Sequence, residues 1–456
     1  MTSTKWDAII VGGGIAGCAA GALLANEGKK VLLLEANSEV GGRCWSGEYK
    51  GCTLDLGGHL IEDGAVEAVY KKVGKELRVG PPGEGMSLWK DGRWFGIQEL
   101  YKNDRADLRT ICDKLIEMSW DELDKLDDVS LTDWIRQYTQ SEGILELFGN
   151  FGVLDFNIFT YDDVAASETL YLRKINLMTK GMIGWSQYPI GGFKNLVLPL
   201  AEAIRDKGGE VRTGVKVSEI VIEDGVVKGV EIETPKTLPN EFTPIEFIEA
   251  PVVICTVPMW HVLDVIPESK MPLWYVEKIK RLKGHPDCFF GFYAAVTKPM
   301  MARTTNGWLK APRTGLPGWS LEPSAYDPGL APEGQHLVTF GTSVADRVDW
   351  LQDRQWLKQK MAEFEADMEE FYPDLKTHCL WKKWYVVEDF ALLEKPGYVG
   401  SHRPDITVPN VKGLYCASDT FRTRGIGVDA SARAAITAVE RALGYKIPDF
   451  EKTFHY

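Results

Sequence analysis

Residues 6–43 read WDAIIVGGGIAGCAAGALLANEGKKVLLLEANSEVGGR, and this stretch decides the fold. Ala8 to Val11 is a short run of strand-forming apolar residues, suited to a strand buried on both faces. It runs straight into Gly12-Gly13-Gly14-Ile15-Ala16-Gly17, a GxGxxG. Gly12 permits a tight turn, Gly14 offers no side chain to hold a pyrophosphate away, and Gly17 lets the next helix lie close to the strand. The spacing predicts a small-sided helix from Ile15 to Glu27, with Gly28 as its stop. The amides that open it form an anion site without a basic side chain. A second apolar strand, Val31 to Leu34, ends on Glu35 and Ala36, where the acid is placed to hydrogen-bond a ribose diol. Strand, glycine turn, helix, strand and acid are the parts of a βαβ dinucleotide site in order. The unit does not separate FAD from NAD, because both carry an adenosine ribose and a pyrophosphate.

The chain has 456 residues, enough for two or three domains. Its formal net charge of −13 argues against general affinity for nucleic acid or anionic membrane. No apolar run approaches a membrane span, and the N-terminus lacks the basic flank and cleavage pattern of a signal peptide. The eight cysteines are scattered, with no CxxC and no His/Cys cluster at zinc spacing, so no metal site is expected. They read as reduced, buried thiols of a cytoplasmic protein. The 15 tryptophans supply rings for core and for pockets that take flat or apolar ligands.

After Glu35 come Gly41-Gly42-Arg43 and then Asp55-Leu56-Gly57-Gly58-His59. This succession resembles the FAD-binding half of the flavin amine oxidase and phytoene desaturase superfamily. The resemblance implies that Arg43 lies by the pyrophosphate or flavin, and that Gly57 and Gly58 let backbone approach the isoalloxazine. It also implies an adenine contact at Val217, in the strand-like run after Gly208-Gly209. Asp224-Gly225 predicts a hairpin turn there. Between these pieces, Asp107 to Leu126 and Ser130 to Tyr138 carry helical spacing, with Ser130 or Thr132 as caps for the second. Leu170 to Trp185 reads as an amphipathic lid, a membrane-touching face or a plain helix over the core.

The C-terminal motif decides the cofactor. Gly413 to Asp419 is a strand closing on an acid, and Gly427-Val428 opens a helix that continues through Ala430-Ser431-Ala432-Arg433-Ala434. A reduced flavin gathers negative charge near N1 and the C2 carbonyl, and a helix N-terminus aimed there stabilises it. A nicotinamide needs no such second unit, so the cofactor reads as FAD. Asp419 matches the family residue that bonds the ribityl chain. The Gly-Val-x-Ala-Ser-Ala-Arg ending is similar to the phytoene desaturase-like branch. Amine oxidases of this superfamily place an aromatic where Ile426 stands. No Cys occupies the family's covalent position in this motif, so the FAD is expected to be non-covalent.

The expected architecture is α/β. A discontinuous Rossmann-type FAD-binding domain takes residues 1–85, 189–265 and 400–446, and residues 86–188 and 266–399 form an α+β substrate domain with a mixed or antiparallel sheet, covering helices and a helical lid. The expected chemistry is hydride transfer from a substrate C–H to flavin N5, desaturating a C–C bond of a hydrophobic or alicyclic small molecule. Oxygen or another acceptor takes the electrons, and peripheral membrane contact stays open. Amine oxidation and FAD-dependent isomerisation are the alternatives. Desaturation sends a second hydrogen away as a proton, which calls for a base. His59 is a candidate base or a side chain packed on FAD; Tyr293, Tyr188 and Tyr398 are candidate bases or pocket wall. Arg422 and Arg424 either grip a substrate carboxylate or carbonyl, or serve pyrophosphate and surface ion pairs.

Overall fold

A computed structural model describes residues 6–56, 60–156, 164–233, 245–448 and 450. Ala8–Val11 and Val31–Leu34 are adjacent parallel strands, buried throughout. Glu210–Arg212 extends the sheet beyond Val31–Leu34, and Val253–Cys255 then Leu414–Cys416 extend it on the other side. This five-stranded parallel sheet therefore draws strands from the beginning, middle and end of the chain. The Ile15–Asn26 helix is buried from Ile15 to Ala25. Its Ala and Gly side chains let it fit between the sheet and the Gly427–Leu443 helix. Val217–Glu223 and Val226–Glu233 form the expected hairpin, with Asp224 and Gly225 both at positive φ (48° and 70°).

A second sheet has seven strands, running from Cys379–Leu392 through Pro286–Val296, His336–Ala345, Gly318–Leu321, Thr304–Trp308 and Gly85–Lys90 to Arg93–Gly96. It is mixed: Thr304–Trp308 runs parallel to Gly85–Lys90, and the other pairs are antiparallel. Pro286–Val296 has a neighbour on each side and is buried at every position. Phe290 and Phe292 meet Phe364 of the Arg354–Phe371 helix edge-on, so one face of this sheet is closed by an aromatic layer.

Among the described residues, five helices between positions 105 and 180 form a further layer. The expected single helix from Asp107 to Leu126 is instead Arg105–Glu117 and Trp120–Asp124. A capping box between Ser119 and Glu122 satisfies the second helix's first amides and so starts it afresh. Ser130 caps Leu131–Ile135, its hydroxyl accepting from the Asp133 amide. Within Leu170 to Trp185 the helix is Ala166–Lys180, buried from Ala166 to Asn176. Even Lys174 is internal, donating to the carbonyls of Leu115 and Ile116 at 2.7 Å each. Ala166 to Asn176 is thus a core helix, while Met178 and Met182 beyond it are exposed. Among the described residues no helix is long and apolar enough to cross a membrane.

Buried ion pairs bind the C-terminal segment to the rest. Arg433 donates to both oxygens of Asp63, at 2.9 and 2.5 Å, with each side chain 1% exposed. Arg424 donates to Asp124, Asp127 and Glu168 at 2.7, 2.6 and 2.7 Å, and Glu168 also accepts from the Gly425 amide. Arg403 joins Glu394 at 2.6 Å and donates to the Asp419 carbonyl at 2.8 Å. Removing one partner of such a pair leaves a desolvated charge uncompensated. Arg424→Met, which strands Asp127 and Glu168, is expected to cost roughly 3–5 kcal/mol, read as a lower urea midpoint at unchanged slope.

Candidate active site

A cleft of about 500 Å³ opens where the glycine turn, the start of the Val217 strand and the C-terminal helix converge, within the usual size range of small-molecule sites. Of the cofactor residues expected from the sequence, Gly12, Gly14, Ile15, Ala16, Glu35, Ala36, Gly42, Arg43, Val217, Asp419, Gly427 and Val428 stand on its walls. Gly17 lies just behind them. Gly57, Gly58 and the candidate base His59 lie outside the described residues.

Each part of the cleft has a local cause. The Glu35 carboxylate is fixed at the strand end: one oxygen accepts from the Gly13 amide at 2.6 Å, the other from the backbone and side chain of Asn37 at 2.8 Å each. The Ile15–Asn26 helix begins at Gly14 with no side-chain cap and no acid in its first turn, leaving its amides for an anion. At the far end the Gly427–Leu443 helix begins at Ile426, again without a side-chain cap. An acid, a free helix N-terminus and a second free helix N-terminus along one cleft match the ribose, pyrophosphate and electron-accepting ring of a flavin dinucleotide.

The two inner glycines do different work. A Cβ on Gly17 would meet the Gly12 carbonyl oxygen at 1.9 Å, so this glycine serves the packing of helix on turn. A Cβ on Gly14 would find only the Gly42 Cα, at 4.0 Å, and would stand in the cleft itself. Arg43 and Asp419, expected at the cofactor, hold one another across the cleft wall through two hydrogen bonds of 2.8 and 2.5 Å. Arg43 also donates to the carbonyl of Phe390, which belongs to the seven-stranded sheet. Cys44 lines the cleft, but burial pushes its thiol up to about 12, so it stays protonated.

A smaller cavity of about 90 Å³ adjoins the Gly427 end of the cleft and shares Phe390, Gly427 and Val428 with it. Phe289, Trp319, Leu321, Leu154 and Leu172 make it apolar, while Glu62, Asp63, Asp155 and Asp429 bring carboxyls to it. Asp429 accepts from the amides of Glu62, Asp63 and Val66 at 3.0, 3.1 and 2.9 Å. The C-terminal helix thereby fixes the 62–66 segment. Burial lifts Asp429 to about 6, aided by the neighbouring charge of Asp63 and opposed by Arg433.

The other expected catalytic residues stand elsewhere. Arg424 is consumed by its three carboxylates and lines neither cavity. Arg422 is 52% exposed, with Asp405 at 3.9 Å. Tyr293 is buried in the core and donates to the Asp55 carbonyl at 2.8 Å; Tyr188 donates to the Asp55 carboxylate. Tyr398 lies beside His285. None of these side chains lines the cleft or the smaller cavity. The carboxyls of the cavity went unnoticed in the sequence. Glu62-Asp63 followed Gly57-Gly58-His59 closely enough to be a signal, whereas nothing local marked Asp155.

A family model described as flavin containing amine oxidoreductase matches residues 15–443. Prolycopene isomerase from Daucus carota is 22% identical over 515 aligned positions, covering 96% of this chain and 80% of that protein. Among solved structures, an oxidoreductase from Methanosarcina mazei superposes with a TM-score of 0.75 at 20% identity, covering 95% of this chain and 99% of that one. A putrescine oxidase bound to putrescine gives 0.66 at 15% identity, covering 96% and 99%. These structural likenesses speak to the fold.

The glycine geometry separates two outcomes. Gly14→Val is expected to fold with unchanged apo-protein melting yet to lose flavin absorbance after purification with added FAD. Gly17→Val is expected to melt earlier with or without cofactor. Identical behaviour of the two variants would contradict this division of labour.

Proposed function

The chain belongs to the flavin-containing amine oxidoreductase family, and from that premise we propose that it dehydrogenates a C–C bond of a compact alicyclic or otherwise hydrophobic substrate. It is an oxidoreductase, and its cofactor is FAD. The observation that carries the finer reading is the junction at Gly427–Val428, where the ring end of the cleft meets a small apolar cavity. FAD bound in the cleft supplies the hydride acceptor. The chain's own residues orient and exclude water: Phe289, Trp319 and Leu321 bring the seven-stranded sheet against the substrate, and Leu154 and Leu172 close it from the helical layer. Uncapped amides at the head of the Gly427–Leu443 helix favour negative charge at the junction. A space of about 90 Å³ suits a single ring better than a long polyene.

A second reading, oxidation of an amine to an imine with hydrogen peroxide formed from dioxygen, draws on one specific observation. The cavity combines aromatic walls, Phe289, Trp319 and Phe390, with an excess of carboxyls, a setting that also suits an ammonium group. Anaerobic mixing with cyclic ketones, alicyclic acids, polyenes and amines decides between them. Loss of the yellow flavin colour with a cyclic ketone or acid is the expected result; bleaching by amines alone would overturn the lead reading.

The FAD is held without a covalent bond in this reading, since no cysteine stands at the family's covalent position in the C-terminal motif. Acid precipitation of the yellow protein is expected to leave the colour in the supernatant and a white pellet. A yellow pellet would contradict it.

A further inference from the structure

Desaturation needs a group that takes the second hydrogen as a proton. His59 lies outside the described residues, and among those residues none of Tyr188, Tyr293 and Tyr398 reaches the cavity. The carboxyls lining the cavity do. Asp63 is taken up by Arg433 on both oxygens, and Asp429 by three backbone amides. Glu62 and Asp155 share one guanidinium: Arg173 donates to Asp155 at 2.7 Å, while its nearest approach to Glu62 is 3.6 Å, too long for a hydrogen bond. The Glu62 Oε2 atom is buried and has no hydrogen-bond partner among the described residues. Buried polar atoms are normally satisfied, and one that is not, on the wall of a cavity beside a cofactor cleft, points to a functional role.

We propose that Glu62 is the proton acceptor of this cavity, with Arg173 and Asp155 as the positioning residues that set it. The proposal rests on the reading that the substrate loses hydrogens from adjacent carbons. One C–H bond gives hydrogen and both electrons to the flavin. The neighbouring C–H bond leaves its electron pair between the carbons as the new double bond, and its proton forms an O–H bond on Glu62. The two electrons then pass to dioxygen, which with two protons becomes hydrogen peroxide, and the Glu62 proton returns to solvent.

The surroundings tune Glu62 for this. Burial and the charge of Asp155 raise it well above the usual carboxylate range, Arg173 pulls it down, and Asp429 and Asp63 raise it further. These groups come from the Glu142–Phe156 and Ala166–Lys180 helices, the C-terminal helix and its own segment; the sheet residues on the same cavity, Phe289, Thr305, Trp319, Leu321 and Phe390, carry no charge. Asp155 is lifted by burial to about 6, with Arg173 opposing. Only the ionised form of Glu62 accepts a proton. Because its folded value is raised, flavin reduction should increase as pH climbs through that value and fall away below it.

The test uses the FAD-loaded protein and the cyclic ketones and acids of the substrate panel. Glu62→Gln is expected to keep its flavin spectrum while reduction by substrate slows by about 100-fold or more, as loss of general base catalysis does, and the pH dependence flattens. Glu62→Asp, which retains the carboxyl, should keep a pH-dependent profile at a reduced rate even if the Gln variant folds poorly. Arg173→Lys should move the midpoint of the profile. Independently of turnover, infrared difference spectra across the same pH range should contain a protonated-carboxyl band that disappears in Glu62→Gln. A Glu62→Gln profile matching wild type, or a carboxyl band unchanged by that substitution, overturns the assignment of Glu62 alone. Wild-type flavin bleached only by amines overturns the reaction reading and this proposal together.

Discussion

Charge pairing between a late stretch of chain and three earlier ones is the constraint on which this architecture depends. Arg433 on Asp63, Arg424 on Asp127 and Glu168, and Arg43 on Asp419 each join residues more than 250 positions apart. Each closes a very long loop, so the entropic cost of the return is offset at a few desolvated contacts. Such pairs add little net stability over well-packed apolar groups, but they punish every arrangement in which one partner is left alone. Here that specificity fixes where the Gly427–Leu443 helix points, and so where the ring end of the cleft lies.

The reading from sequence succeeded where chemistry is encoded locally. The strand–glycine–helix–strand unit needs only neighbours to be recognised, and Asp224-Gly225 announces its own turn. The C-terminal glycine–valine step was legible as a helix start, and the helix does run Gly427–Leu443. The break at Met118–Ser119 was missed because apolar spacing continues across it, and only the reciprocal Ser119–Glu122 bonding shows the restart. For Leu170 to Trp185 a lid, a membrane face and a plain helix over the core all stayed open, because Arg173, Lys174 and Lys180 punctuate an apolar run. Burial of a charged residue depends on a partner, and those of Arg173 and Lys174 lie on other helices.

The arginines of the 420s illustrate the limit from the other side. Their place between Asp419 and Gly427 suggested a hand over the substrate. Arg424 in fact holds the motif to the helical layer, and Arg422 looks outward. The small cavity that adjoins the ring end is composed from at least five separated segments, around residues 62, 155, 172, 319 and 428. No spacing rule connects such positions. Their meeting is a property of how the two sheets and the helical layer dock, not of any one stretch.

The parallel sheet has a bearing on how the molecule is made. Its last strand and the helix at the Gly427 end of the cleft are contributed by residues 414–443, so the cleft is complete only once they have joined the strands at residues 8–34. The glycine turn lines only one side of that cleft, and residues 418–431 line the other. Neither segment alone encloses the coenzyme, so its retention depends on how firmly the late segment docks on the early one.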